Sequence, residues 1–261
     1  MEAALPALLD NEIALLFLKI YAAMFLLGPV ILRFTFKFKA KVDPQLVARE
    51  TLPVDVQEFM ARHSAGIEGL GFERVGYIKL GTLAGGTQSF MALFSNSKTQ
   101  EWADISAVKS AKGLKGYFEF ITRCSDDTQV DTNTNSTAPV LSASAGYHVF
   151  RFPQITDASR LYRAHQMLVH ENIGGSRPEL PAKGQEVAEL KRRLERYGVR
   201  QQQCGYMVFD PAGQQFRLTW KGAFLGAWRS IWPISAIRNL MQQSQSQARL
   251  RSLGVGEVRS A

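Results

Sequence analysis

Apolar residues keep three rhythms along this chain. From Ile13 to Leu32 they run almost unbroken, IALLFLKIYAAMFLLGPVIL, twenty residues with Lys19 as the single charge. At about 1.5 Å per helical residue, that length crosses a hydrocarbon core about 30 Å thick. A helical period follows in VDVQEFMARHSAGIEGLGF, where Val56, Phe59, Met60, Ile67 and Leu70 share a face before Gly71. Strand rhythm then takes over through ERVGYIKL, TQSFMALFS, WADISAVKS, GYFEFITRC and YHVFRF. A second helix is predicted over TDASRLYRAHQMLVHEN, capped by Thr156 or Asp157, with Leu161, Tyr162, His165, Leu168 and Val169 turned inward.

The rest of the chain repeats these signals on a smaller scale. GGSRPELPAKG reads as a linker. EVAELKRRLERYG carries a stripe of Val187, Leu190, Leu194 and Tyr197, with Gly198 at the expected C-terminal cap. GYMVFDPAGQQFRLTW is a hairpin turning at Asp210-Pro211-Ala212-Gly213, its second strand running through FRLTWKG. The expected fold is α+β: an N-terminal transmembrane helix, an antiparallel sheet covered by helices on one face, and a C-terminal helix–hairpin–helix extension. The expected division is an external N-terminus 1–12, the transmembrane helix 13–32, and a basic juxtamembrane segment and linker 33–52. An α+β domain 53–173, a linker 174–184 and a basic, Trp-rich C-terminal unit 185–261 follow.

Charge adds an orientation. Lysine and arginine exceed aspartate and glutamate by 31 to 23, a net +8. Arg33, Lys37, Lys39 and Lys41 follow the apolar run at once, whereas Glu2, Asp10 and Glu12 precede it. The positive-inside rule then puts the N-terminus outside and the bulk of the chain in the cytoplasm, on a single-pass inner-membrane protein. An acidic leader with no small-residue cleavage site does not suit a removable signal peptide. In RFTFKFKAK the lysines can meet anionic headgroups while the phenylalanines reach the acyl boundary. The anionic lipid bilayer is therefore one expected partner.

Candidate chemistry is sparse. In SDDTQVDTNTNS the strand period sets Asp131, Asn133 and Asn135 on one face and Val130, Thr132 and Thr134 on the other. D-x-N-x-N opens like a calcium loop, but Ser136 replaces the required glycine and no glutamate follows. No metal is expected, and a solvated hairpin face is the plainest reading. A ligand groove lined by Asp131, Asn133 and Asn135, joined by His165, is the functional alternative. Cys124 beside Arg123 could carry a lowered pKa, but an inert thiol is the simpler reading. The two cysteines form no CxxC, no histidine pair has metal spacing, and no nucleophile elbow or phosphate-binding loop occurs. No cofactor is expected, and nothing here specifies a catalytic residue.

The segment FRLTWKGAFLGAWRSIWP admits two functional readings. With the preceding KRRLER helix it has the wing-like L-T-x-K-G of winged-helix DNA-binding domains, although such domains need about three helices before the wing. Alternatively, Trp228 and Trp232 with Arg229 and Arg238 suit a helix lying in the headgroup plane. YFEFITRCSDDTQVDTNTNS, RFPQITDASRLYRAHQ and FRLTWKGAFLGAWRSIWP together resemble a group of uncharacterised bacterial single-span, membrane-anchored proteins. That resemblance implies the architecture above and supplies no activity. The leading expectation is a membrane-anchored binding protein that meets a protein partner or a small ligand near the bilayer. The alternatives are an enzyme with a polar groove along the 118–135 hairpin and a tethered DNA-binding regulator; a nucleic-acid partner is not the expected one.

Overall fold

The computed structural model describes residues 4–81, 87–137, 139, 141 and 146–255. The chain is α+β, with six α-helices and two sheets among the described residues. Helix α1 (Ala4–Thr35) contains the apolar run and continues past it at both ends. Its stretch Glu12–Thr35 is long and apolar enough to cross a membrane. Pro29 sits within it, tolerated without ending the helix.

The main sheet has seven strands in the order β2 (Gln45–Val47), β3 (Glu73–Leu80), β4 (Gln88–Asn96), β5 (Glu101–Ser110), β6 (Gly113–Arg123), β7 (Gln129–Asn133) and β8 (Tyr147–Arg151). All neighbours are antiparallel except β7 and β8, which run parallel. Helices α2 (Val54–Glu68) and α3 (Ala158–Asn172) cover one face, where Met60, Ile67, Phe94, Ile105, Phe120, Leu161 and Leu168 form the largest core. Asp157 caps α3 by accepting from the Arg160 N–H at 2.8 Å.

The opposite face is covered too, which corrects the one-faced sheet of the sequence reading. Helix α4 (Glu186–Gln203) lays Leu190, with Val187 and Leu194, on Ile78, Leu93, Trp102 and Ile121. The strands explain why. β4 and β5 bury residues of both parities, as strands covered on both sides must. The C-terminal unit is therefore part of the body. Leu250, Leu253 and Val255, at the end of α6 (Ile234–Ser252), also join the main core.

A second, three-stranded sheet ties the two ends of the chain together, in the order β1 (Lys37–Lys39), β10 (Gln215–Leu218) and β9 (Met207–Asp210). Within the basic juxtamembrane segment, Lys37–Lys39 is thus a strand. β10 stops at Leu218, before the FRLTWKG reading would end it, because Thr219 caps α5 (Trp220–Ser230), its side chain accepting from the Gly222 N–H at 3.1 Å.

Gly198 is not a helix end; α4 runs five residues past it to Gln203. A Cβ there would lie 2.4 Å from the Phe216 ring of β10, so this glycine is a contact point between helix and hairpin. Intrinsic propensity favours Gly→Ala in a helix by about 1 kcal/mol. Overpacking opposes it by about 1–3 kcal/mol. The net expectation for Gly198→Ala is a lower midpoint in thermal unfolding of the full chain in detergent; an unchanged or raised midpoint contradicts this packing.

Candidate functional site

Alternation along β6 and β7 sends Phe118, Phe120 and Val130 into the main core and Tyr117, Glu119, Asp131 and Asn133 to the α4 side. On that side lies a cavity of about 780 Å³. Its floor is Glu119, Asp131, Asn133 and Arg151 on the sheet, with Arg193 arriving from α4. Its upper wall is apolar: Leu32 at the base of α1, Phe36 and Phe38 just after it, then Leu141, Tyr197 and Leu218. Gly226 and Ser230 of α5 complete the rim.

The floor is a network of buried charge. Arg193 pairs with Glu119 at 3.3 Å and Asp104 at 3.6 Å. Asp104 also accepts from the Ser106 hydroxyl at 2.8 Å. Asp131 accepts from the Gln129 amide at 2.8 Å and from the Tyr147 hydroxyl. Arg200 lies over the Tyr147 ring, 5.0 Å from its centre. Arg151 lines the same cavity, and its buried Nε has no hydrogen-bond partner among the described residues. It also lines a second crevice, of about 550 Å³, between β8 and α6.

Burial sets the protonation of these groups. It pushes Glu119 up to about 8, helped by the neighbouring Asp104 charge and opposed by Arg193. It raises Asp131 to about 6, with Glu119 adding to the rise. Burial works against the charge of Arg193, but Glu119, Asp131 and Asp104 outweigh it and raise its pKa. Near neutral pH the cavity floor therefore carries a proton on a carboxyl beside a permanent guanidinium.

The sequence-derived candidates divide accordingly. Asp131, Asn133 and Asn135 line one cavity. Asp131 and Asn133 are buried, so the solvated hairpin face is corrected: α4 and the α1 base roof this strand. His165 lies on the other side of the sheet. Its ring nitrogens meet the Thr122 and Thr132 hydroxyls at 2.9 and 3.0 Å, and Thr132 projects opposite to Asp131. There Glu101 accepts from Thr122, Tyr162 and Gln166, a closed set of hydrogen bonds within the core. Burial holds His165 down at about 4, a neutral core histidine and not a cavity group.

Cys124 is buried, which fits the inert-thiol reading and not the lowered-pKa alternative. Arg123 is engaged by Asp127 and Glu189, and burial pushes the thiol pKa up. No group of three metal-ligating side chains occurs among the described residues. Of the surface candidates, Lys37, Lys39 and Lys41 are exposed around β1, and Arg33 is half-buried. Trp228 packs edge-on against Phe25 of α1 at 5.1 Å; Trp232 is 74% exposed. Arg238 donates to the Pro139 carbonyl at 2.8 Å, and Arg229 is half-buried. Glu119, Arg151 and Arg193 were not singled out from the sequence; only the pairing of strands and the arrival of α4 bring them together.

Raised carboxyl pKa values make stability depend on pH in a stated direction. Between the unfolded value near 4.5 and the folded value of about 8, the native Glu119 holds a proton that the unfolded chain has released. Stability should therefore fall as pH rises to 8. His165 has the opposite slope below about 6.5, so from 6.5 to 8 the buried carboxyls govern, Glu119 together with its neighbour Asp104, which burial also raises. Thermal midpoints in that window should decline for the native chain and less steeply for Glu119→Gln; parallel slopes would contradict the assignment.

Comparison with family models, curated proteins and solved structures finds no match for this chain.

Proposed function

We propose that this chain is a single-span, membrane-anchored binding protein, N-terminus outside and body cytoplasmic, whose cavity takes a small amphiphilic ligand at the membrane surface. The observation that carries it is the make-up of the cavity wall. One boundary is the last turn of α1 and the residues just after it, Leu32, Phe36 and Phe38; the other is the charged floor of Glu119, Asp131, Arg151 and Arg193. A molecule with an apolar body and a polar end matches both. Arg151, with its unpaired Nε, supplies a donor to that end.

The anchor has an energetic argument. Eleven large apolar side chains from Ile13 to Phe34 are exposed on α1 among the described residues. At about 1 kcal/mol for each half-covered side chain, water contact would cost on the order of 10 kcal/mol, as much as a typical folding free energy. Lipid removes that cost. Arg33, Lys37, Lys39 and Lys41 supply the positive-inside signal and a contact for anionic headgroups.

The cavity favours a small ligand over the expected protein partner as the primary target. DNA binding is not carried forward. After residue 184 only α4 precedes the β9–β10 hairpin, without the three-helix core a wing requires. One observation favours catalysis as a second reading: Glu119 and Asp131, both with raised pKa, face the same cavity, where they could act as general acids.

The full chain extracted from membranes in mild detergent should retain an amphiphile detectable by mass spectrometry. Arg151→Gln should cut retention about tenfold, while the remote Lys112→Gln leaves it unchanged. Equal retention in both variants, or none in the native chain, contradicts the binding reading. A stoichiometric protein in place of a lipid would move the role to the partner reading. On the enzyme reading, Asp131→Asn keeps the molecule bound and abolishes its turnover. Protease outside intact cells should spare the body; digestion of the body would reverse the orientation.

A further inference from the structure

Helix α5 packs along α1 in antiparallel fashion. Trp220, at its start, meets Phe34 with ring centres 6.4 Å apart; Trp228, eight residues on, meets Phe25 at 5.1 Å. Between them, a Cβ on Gly28 would sit 3.4 Å from the Ala227 Cβ. Small residues make the seam: Ala223 and Ala227, four apart, are both buried. Small residues at this spacing let membrane helices approach closely. The partly covered residues of α1, Tyr21, Phe25, Gly28 and Leu32, form the matching stripe.

This pairing places α5 at a depth. From Phe34 to Phe25 the helix axis advances about 14 Å, nearly half of a hydrocarbon core of about 30 Å. We infer that α5, the turn at 231–233 and the first turns of α6 form a re-entrant hairpin, inserted in the cytoplasmic leaflet beside α1 instead of lying on its surface. The inference rests on α1 spanning the bilayer.

The hairpin's outer surface suits acyl chains. Trp220, Phe224 and Trp228 repeat every four residues along α5 and are each about half exposed. Trp232 at the tip is 74% exposed, and Ile237, Leu240 and Met241 continue the surface on α6. These side chains are continuous with the exposed Leu27, Val30, Ile31 and Phe34 of α1. Most polar groups turn inward or to the base, and Asn239 is exposed among the apolar residues of α6. Lys221 donates to the Cys204 carbonyl at 3.2 Å, and Arg238 donates to Pro139, both on the body. Arg229 is half-buried and has a partner of its own. α6 then returns to the body, where Ser246 meets Gln154 at 2.8 Å and Leu250 enters the core.

Depth-dependent quenching tests this in the full chain, reconstituted in vesicles of phosphatidylcholine and phosphatidylglycerol brominated either near the headgroup or near the chain ends. Variants keep Trp102 and one of Trp220, Trp228 or Trp232, the others changed to Phe; a Trp102-only variant supplies the baseline. Tyr21→Trp in that baseline reports on α1, and circular dichroism confirms that each variant is folded. The ratio of deep to shallow quenching should rise at least twofold from Trp220 to Trp232. Uniform shallow quenching would overturn the inference in favour of a helix at the surface. If Tyr21→Trp is quenched and none of the three hairpin tryptophans is, the hairpin lies outside lipid or beneath a second copy of the chain, and the inference falls while the anchor stands. If Tyr21→Trp is not quenched either, the anchor falls with it.

Discussion

Three residues of backbone pairing, reinforced by the packing of α5 along α1, hold the apolar helix to the body. β1 begins two residues after α1 ends, and Lys37, Phe38 and Lys39 pair with Arg217, Phe216 and Gln215 of β10. The Phe36 N–H still bonds the Leu32 carbonyl at 3.0 Å, and Ala40 donates to the Gln214 carbonyl at 3.1 Å, so helix passes into strand without slack. A flexible linker would leave the body free to turn on α1. This splice fixes the angle. It seats Phe36 and Phe38 against Met207, Phe216 and Leu218, and sends α5 back along α1. The cavity exists because those constraints hold the base of α1 above the charged face of the sheet without closing onto it.

That face is expensive to maintain. Asp104, Glu119 and Asp131 lie under cover with Arg193 as their shared counter-charge, and removing one member of such a group typically costs about 3–5 kcal/mol. Apolar residues of similar size would cover the strands more cheaply. The opposite face shows what a satisfied polar cluster looks like: around His165 and Glu101, hydroxyl, amide and ring partners close on one another. The cavity floor does not close. The Arg151 Nε has no hydrogen-bond partner among the described residues. Incomplete satisfaction beside an open volume is the observation on which the binding proposal rests.

Much of this architecture was legible in the sequence where the signal is local. Hydropathy marked α1, strand-rich composition marked β5, and alternation marked β6. The period of two placed Asp131 and Asn133 on one side of β7 and Thr132 on the other. The same rule excludes His165 from their company, since His165 belongs to the inward stripe of α3 that packs on the Thr132 side. What could not be read locally is which side of the strand is roofed. Arg193 sits in KRRLER, which looks like a solvated basic face until α4 crosses the sheet. Gly198 resembles a cap until Phe216 arrives from a distant hairpin. Trp220 reads as strand because it follows Leu218 in the alternation, and only the Thr219 cap turns it into helix.

The central claim is geometric: the apolar helix crosses a bilayer and holds the body rigidly, with the cavity mouth at the membrane surface. Single-particle imaging of the full chain in a lipid nanodisc, with an antibody fragment bound to the body, addresses it directly. One fixed pose is predicted, with α1 through the disc and the cavity mouth beside Leu32 and Phe36 at the level of the headgroups. A body that adopts many orientations about its anchor, or an α1 that lies outside the lipid, would contradict it.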